Sequence, residues 1–352
     1  LKYLTTPEHQ RGNCLKAREG DLIKTVSNVV FDVKGLVHPP NRIIAFPRFI
    51  PSPKGTRQDK NALYGKVYSL VDRFKYLQEN HPDLIVFDPV FDETMCEVPV
   101  DQIAQHYQPP EKLSSLHTSK NLSALENKAL QLATALKEKS GIPWSAIGIS
   151  GSIMAGLTNE KSDIDPLVYG VENSRKAYRV LKELLRTDGS GFKPYSPKEF
   201  QTLFDFRSKD TQISFEDFET VENRKAFQGM FMGTDYFIRF VKDWNETASL
   251  YGEVCFKNIG YAKITANITD SSDALFTPCS YKLSNVAVVE RPQLSPITEV
   301  VSFRGRFCEQ AIEGEAIEAQ GKVERVTDNK NGSEHYRLII GSKPSDYMVL
   351  SH

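Results

Sequence analysis

"GISGSIMAGLTNEKSDIDPLVYG" (residues 148–170) decides how this chain is read. Asp163 and Asp165 flank a single isoleucine and run directly into the apolar stretch Leu167–Tyr169. The spacing predicts an extended segment, in which alternate side chains share a face; both carboxylates then point one way and Ile164 the other. Two carboxylates held that close repel, and both stay ionised only beside a compensating cation. Mg²⁺ or Mn²⁺ meets that need. Mg²⁺ takes oxygen ligands, is commonly held by one or two carboxylates, and completes its shell with water and substrate phosphates.

The Gly-Ser pair upstream supplies the other half. Gly151 can take backbone angles closed to other residues and lets a phosphate approach the main chain. "SIMAGL" predicts a short helix with Ser152 near its start, where amide N–H groups and the hydroxyl suit a triphosphate tail. The segment therefore reads as a metal-and-nucleotide site, with phosphates on Gly151 and Ser152 and metal on Asp163 and Asp165. A lone Asp-x-Asp is more often a strand-edge or turn feature, and a lone Gly-Ser is weaker still. Specificity comes from the order: helix, strand, Gly-Ser, ten residues, Asp-x-Asp, strand, helix.

The flanks support that order. "NLSALENKALQLATALKEKSG" (121–141) places Leu125, Ala129, Leu132 and Leu136 on one helical face, with Gly141 as the stop. "SAIGIS" is a short apolar strand. "SRKAYRVLKELLRTD" repeats apolar residues at helical spacing, and "QGMFMGTDYFIRFVKD" (228–243) predicts one or two further strands. Upstream, "NVVFDVKGLV", "NRIIAFPRFI" and "DLIVFDPVF" are short β patterns, and "LYGKVYSLVDRFKYLQEN" carries a helical stripe beginning at Leu63. The loops "HPPNR" (38–42) and "PSPKGTR" (51–57) read first as turns with solvated charge, with binding loops as the alternative. Beyond residue 252 the patterns are β, with "DNKNGS" as a hairpin turn before "HYRLIIG", and Glu313, Glu315, Glu318 and Glu324 as a solvated face.

Composition shifts at "HYQPPEKLSSLHTSKN" (106–121) and "WNETASLYGE" (244–253) divide the chain into three. The expected architecture is α+β and multidomain. Residues 1–115 form a mixed α/β domain with basic loops, 116–248 the α/β catalytic domain, and 249–352 an antiparallel, barrel-like β-domain. A length of 352 residues suits two or three domains. No run approaches a membrane span, no apolar signal core opens the chain, and five scattered cysteines (Cys14 the first) fit reduced thiols in a cytoplasmic protein. Residues 1–60 hold eleven Lys/Arg against five Asp/Glu, so the remainder of this net −1 chain is acidic. That basic start, with Lys2 and Arg11 in it, is a candidate RNA contact. P-loop, dinucleotide-binding and nucleophile-elbow motifs are absent from the sequence.

Residues 148–170 resemble the DNA-polymerase-β-like nucleotidyltransferase superfamily, whose pattern is Gly-Ser, about ten residues, then Asp-x-Asp or Asp-x-Glu. The whole chain, with "REGD…VKGLVHPP" near its start and "SFRGRF" near residue 303, also looks like a group of archaeal predicted nucleotidyltransferases. The resemblance implies a small mixed sheet backed by helices, use of a nucleoside triphosphate (NTP), and two metal ions on Asp163 and Asp165. It further implies a third carboxylate on a later strand, completing the second metal and helping to deprotonate an acceptor hydroxyl. Asp235, opening the strand in "MGTDYFIRFV", is the first choice; Glu216, Asp217, Glu219 and Asp243 compete. Arg239, four residues on, lies on the same strand face and either holds a phosphate or forms a structural ion pair. Pro166 departs from the pattern, since it cannot donate to a sheet ladder, and predicts an edge or bent strand. The function implied is transfer of a nucleoside monophosphate to a hydroxyl of an RNA 3′ end, a protein side chain or a small molecule. The alternative is a nucleotide- or RNA-binding protein on the same fold.

Overall fold

The computed structural model describes residues 15–247, 249–290 and 297–351; Cys14, Lys2 and Arg11 lie outside them. Seven α-helices and four sheets make a mixed α+β protein among those residues. The first unit is an eight-stranded sheet. Its path runs Arg57–Gln58, Leu63–Lys66, Arg42–Pro51, Val30–Val33, Leu22–Thr25, Ile103–Tyr107, with Glu93–Pro99 pairing beside Arg42–Ile44 and Ile85–Asp88 beyond it. The helix Leu70–Asn80 starts where Ser69 accepts the N–H of Asp72, a cap that contributes about 1 kcal/mol. It does not reach back to Leu63 as the apolar stripe suggests. Leu63–Lys66 is held as a strand instead, because Tyr64–Lys66 pair with Phe49–Pro51.

The expected boundary at residue 115 falls inside a helix, Pro109–Thr118. Leu113 and Leu116 of that helix pack with Ala129, Leu132 and Ile147. A Cβ at Gly148 would lie 2.4 Å from Cβ of Pro109, so the helix belongs to the second unit and rests directly on its first strand. The helix Ala124–Ser140 begins with a capping box between Ser123 and Glu126 and ends at Gly141, φ 69°. Pro166–Tyr169 lies between Ile147–Ile149, antiparallel, and Arg239–Val241, parallel. A second small sheet joins Phe192–Lys193, Gln228–Phe231 and Thr234–Phe237. Residues 228–243 thus form three strands rather than one or two.

The third unit is a partly closed sheet. Its five main strands are Val254–Asp270, Cys279–Glu290, Ile297–Ser302, Ala316–Asp328 and Glu334–Ile339. They pair in the order first, second, third, fifth, fourth, and the fourth returns to the first. Third and fifth run parallel, which corrects the wholly antiparallel expectation. Tyr347–Leu350 adds to the fourth strand. Glu324 is not on a solvated face: it is buried between Lys322 and Arg337. Glu315 binds Arg224 of the second unit.

Further contacts join the units. "REGD" is used residue by residue: Arg18 stacks over Tyr169 at 3.5 Å and pairs with Asp243, Glu19 binds Lys34 and Arg239, Gly20 presses on Leu167, and Asp21 binds His106. Lys225 bonds Glu222 and reaches the carbonyl of Arg306 and Gln310 Oε1 in the third unit. Phe91 stacks on Phe256 at 5.5 Å. No helix among the described residues is long and apolar enough to cross a membrane. Cys96, Cys255, Cys279 and Cys308 are free thiols.

His38 gives a test of the first unit. The Ile44 N–H donates to its Nδ1 at 3.2 Å, so Nε2 carries the proton and donates to the Ala17 carbonyl at 2.9 Å. Burial holds its pKa down to about 4, against the Ala17 bond, which raises it. Because the unfolded imidazole titrates near 6.5, the unfolded chain binds more protons between those values. Stability is therefore present above about pH 6.5 and lost as pH falls through the window toward 4. The melting temperature of wild type should fall over that range by more than that of His38→Gln; parallel curves would refute the assignment.

Candidate functional site

The carboxylates are positioned by backbone bonds on both sides. Ile164 donates its N–H to the carbonyl of Asp235 at 2.9 Å and accepts from Phe237 at 3.0 Å. This parallel bridge sets Asp235 beside Asp163–Asp165. On the other side Ser150 donates to the carbonyl of Asp165 at 2.8 Å. Ile164 is fully buried while both aspartates are half-buried, as alternation along an extended segment requires. Pro166 does not mark an edge. It is the first residue of the central strand and pairs with Ile149, a place where the missing N–H costs no ladder bond.

Gly151 fits no other residue. Its φ is 64°, and a Cβ there would stand 1.9 Å from Asp165 Oδ2. The turn and the second carboxylate are thus packed against one another. Ser150 precedes the short helix Gly151–Ala155, but its hydroxyl donates to the Gly20 carbonyl at 2.6 Å and does not cap the helix amides. Ser152 is buried, and its Oγ has no hydrogen-bond partner.

Charge is crowded here. Burial, then the neighbouring Asp163, pushes Asp165 up to about 6, against the pull of Lys66, Arg48 and Arg239. Burial also raises Asp235, Asp163 adds to the rise, and a hydrogen bond with Tyr195 opposes it. Asp163 Oδ1 is buried without a hydrogen bond; Lys66 Nζ is 3.8 Å away. Among the described residues no three His, Cys, Asp or Glu side chains close on one point. The donor set is two carboxylates with a third on the adjoining strand. It suits Mg²⁺ or Mn²⁺, which take the rest of their shell from water and phosphate, and not a closed zinc site.

The competitors for the third position are elsewhere. Glu216 and Glu219 are exposed on the helix Phe215–Glu222, Asp217 accepts from Ser214, and Asp243 caps Trp244 and binds Arg18. Arg239 corrects the reading of one continuous strand face. The chain breaks between Thr234–Phe237 and Arg239–Val241, and the Arg239 guanidinium binds Glu19 at 3.0 Å, with Asp32 at 4.0 Å. Its guanidinium is engaged by Glu19 beside Asp165.

Several site residues escape sequence reasoning. Lys66 and Arg48 come from the first unit's sheet. Arg57, from the loop read as a solvated turn, is buried and donates to the Leu157 carbonyl at 2.5 Å and Ser162 Oγ at 3.0 Å, fixing the loop that precedes Asp163. Only Arg48 sits inside a stretch read as β; Lys66 lies in the helical stripe and Arg57 in a turn, so no local signal marked them. On the Asp235 side, Lys128, Lys161, Ser162 and Thr234 line a cavity of about 450 Å³.

The chain is 30% identical over 337 residues to the uncharacterized protein MJ1086 of Methanocaldococcus jannaschii, an alignment covering 93% of this chain and 96% of that protein. No protein-family model matches the chain, and no solved structure does.

Gly151→Ala should cost about 1–2 kcal/mol for the left-handed backbone alone, with more from displacing Asp165. A urea midpoint equal to wild type would mean the turn is not packed on Asp165.

Proposed function

We propose that this chain, which belongs to the same protein family as MJ1086 of Methanocaldococcus jannaschii, is a metal-dependent nucleotidyltransferase. The observation that carries the reading is the unbonded, buried Oδ1 of Asp163 beside Asp165, itself pressed against the turn at Gly151. The two aspartates would hold Mg²⁺ or Mn²⁺. When bound, the metal neutralises the triphosphate charge and lowers the pKa of an acceptor hydroxyl.

The chain's own residues do the rest. Gly151, with no side chain, lets the phosphates of an NTP come against the backbone, and the uncapped amides of Gly151–Ala155 face them; Ser152 supplies a free hydroxyl. Asp235, exposed on the strand Thr234–Phe237 and free to meet an incoming group, takes the proton of the acceptor hydroxyl. The acceptor oxygen then bonds to the α-phosphorus, the bond from that phosphorus to the bridging oxygen breaks, and pyrophosphate leaves. Lys66, 3.8 Å from Asp163, offsets negative charge beside the carboxylates.

A second reading, a nucleotide- or RNA-binding protein that transfers nothing, draws on the lack of a three-donor cluster among the described residues. Pyrophosphate release separates the two. With labelled NTPs, Mg²⁺ and pools of RNA, protein and small-molecule hydroxyls, wild type should release pyrophosphate. Asp163→Ala should lose at least about a hundredfold, the scale of removing one preorganised charge-stabilising group. Wild-type turnover in that variant refutes the mechanism. Mg²⁺-dependent thermal stabilisation by an NTP without any pyrophosphate supports the binding protein.

A further inference from the structure

A second feature borders the carboxylates on the side of the first unit. Lys66 Nζ, 3.8 Å from Asp163, stands 5.0 Å from the ring centroid of Tyr68, and the Arg48 guanidinium lies 5.2 Å from the same ring. Tyr68 is 46% exposed. Phe206, at the end of the helix Pro197–Arg207, is 51% exposed and meets Tyr68 edge-on at 5.5 Å. From the third unit, Phe303 is 38% exposed and reaches the turn at Gly35. Tyr68 and Phe206 thus form one exposed aromatic pair beside Lys66 and Arg48, with Phe303 exposed separately on the third unit.

The cations beside these rings are under-compensated. Arg73 is buried, its Nε has no partner, and its Nη2 makes one long bond, 3.4 Å, to the Val67 carbonyl. Arg48, Arg304 and Arg239 crowd it, with Asp32 as the nearby counter-charge. Asp32 is already held by Lys34 at 2.9 Å, Arg239 by Glu19 and Arg304 by Asp210. Among the described residues no carboxylate is within ion-pair distance of Arg48 or Arg73. Arg73 thus keeps an N–H without a partner close to the charge of Arg48, and a guanidinium so placed favours an anionic oxygen that can reach it.

Phosphates on arginines and bases on exposed rings is how single-stranded nucleic acid is held without sequence preference. The incoming nucleotide needs one base position, whereas Tyr68 and Phe206 offer two exposed rings, and its triphosphate is assigned above to the Gly151 turn. We propose that Tyr68, Phe206, Arg48 and Arg73 form the acceptor subsite for a single-stranded polynucleotide 3′ end. Its terminal bases stack on Tyr68 and Phe206, its phosphodiester sits on Arg48 and Arg73, and its 3′ hydroxyl points toward Asp163 and Asp235. This subsite rests on the nucleotidyltransferase reading for its purpose but not for its binding.

The test is therefore binding without catalysis. Fluorescence anisotropy of a short labelled single-stranded RNA, with a DNA of the same sequence as a second arm, is measured in EDTA on the full chain. The variants are Tyr68→Ala, Phe206→Ala and Arg48→Ala, each at an exposed or partly exposed position, with folding checked by circular dichroism. Wild type should bind one or both strands. Either ring variant should weaken binding by roughly tenfold or more. Arg48→Ala should flatten the slope of log affinity on log salt by about 0.7, one phosphate contact. Absence of RNA and DNA affinity in a protein that Mg²⁺–NTP still stabilises thermally overturns the subsite and leaves the nucleotidyltransferase reading standing. Affinity unchanged in all three variants also overturns it. So does loss of Mg²⁺–NTP stabilisation in the ring variants with polynucleotide affinity intact, which would assign the rings to the incoming nucleotide. Variant-sensitive binding with no pyrophosphate release keeps the subsite and removes the catalysis.

Discussion

Repulsion among Asp163, Asp165 and Asp235 is the constraint around which the rest is arranged. Two unit charges about 4 Å apart interact by about 4 kcal/mol at an effective dielectric near 20, so such a group is not tolerated without nearby cations. Lys66, Arg48 and Arg57 arrive from the first unit, and Arg239 is turned toward the same place by Glu19. The first unit is therefore part of the site's electrostatics rather than an appendage. The "REGD" segment fixes its position against Tyr169, Leu167 and Asp243.

The opposite wall is held by charge of another kind. Glu222 is buried among Arg207, Lys225 and Gln228, and Lys225 continues into the third unit through Gln310 and the carbonyl of Arg306. Desolvating so many ions is expensive, and such a cluster adds less to stability than its bond lengths suggest. What it adds is geometry. Every partner is directional, so the helices Pro197–Arg207 and Phe215–Glu222 keep one orientation relative to the partly closed sheet. Phe206 and Arg304 inherit that orientation.

Much of the local order was legible in the sequence because it follows short-range rules. Ser123, Glu126 and Gly141 delimit their helix, the turn before "HYRLIIG" forms, and Asp163 and Asp165 alternate with Ile164. The errors share one cause, which is long-range pairing. Leu63–Lys66 left a helical stripe to complete a sheet, Pro109–Thr118 left a supposed linker to cover Gly148, and Pro166 moved from an expected edge to the start of a central strand. Glu324 and Arg57 looked solvated because nothing in their own neighbourhoods reveals the partners that bury them. Arg239 was tied to Asp235 by counting along a strand that the fold interrupts.

The share of the third unit in the surroundings of the carboxylates also bears on how the chain is made. The ribosome releases Asp163 and Asp165 long before Phe303 and Arg304, and the strands Ala316–Asp328 and Glu334–Ile339 of the third unit's sheet emerge later still. A nascent chain thus carries its carboxylates next to a basic wall that is still unfinished. Arg304 and Phe303 join the wall only once the C-terminal strands have paired. Order of synthesis keeps this surface incomplete until those strands have emerged, so a chain terminated before them has the acidic centre without the surface that surrounds it.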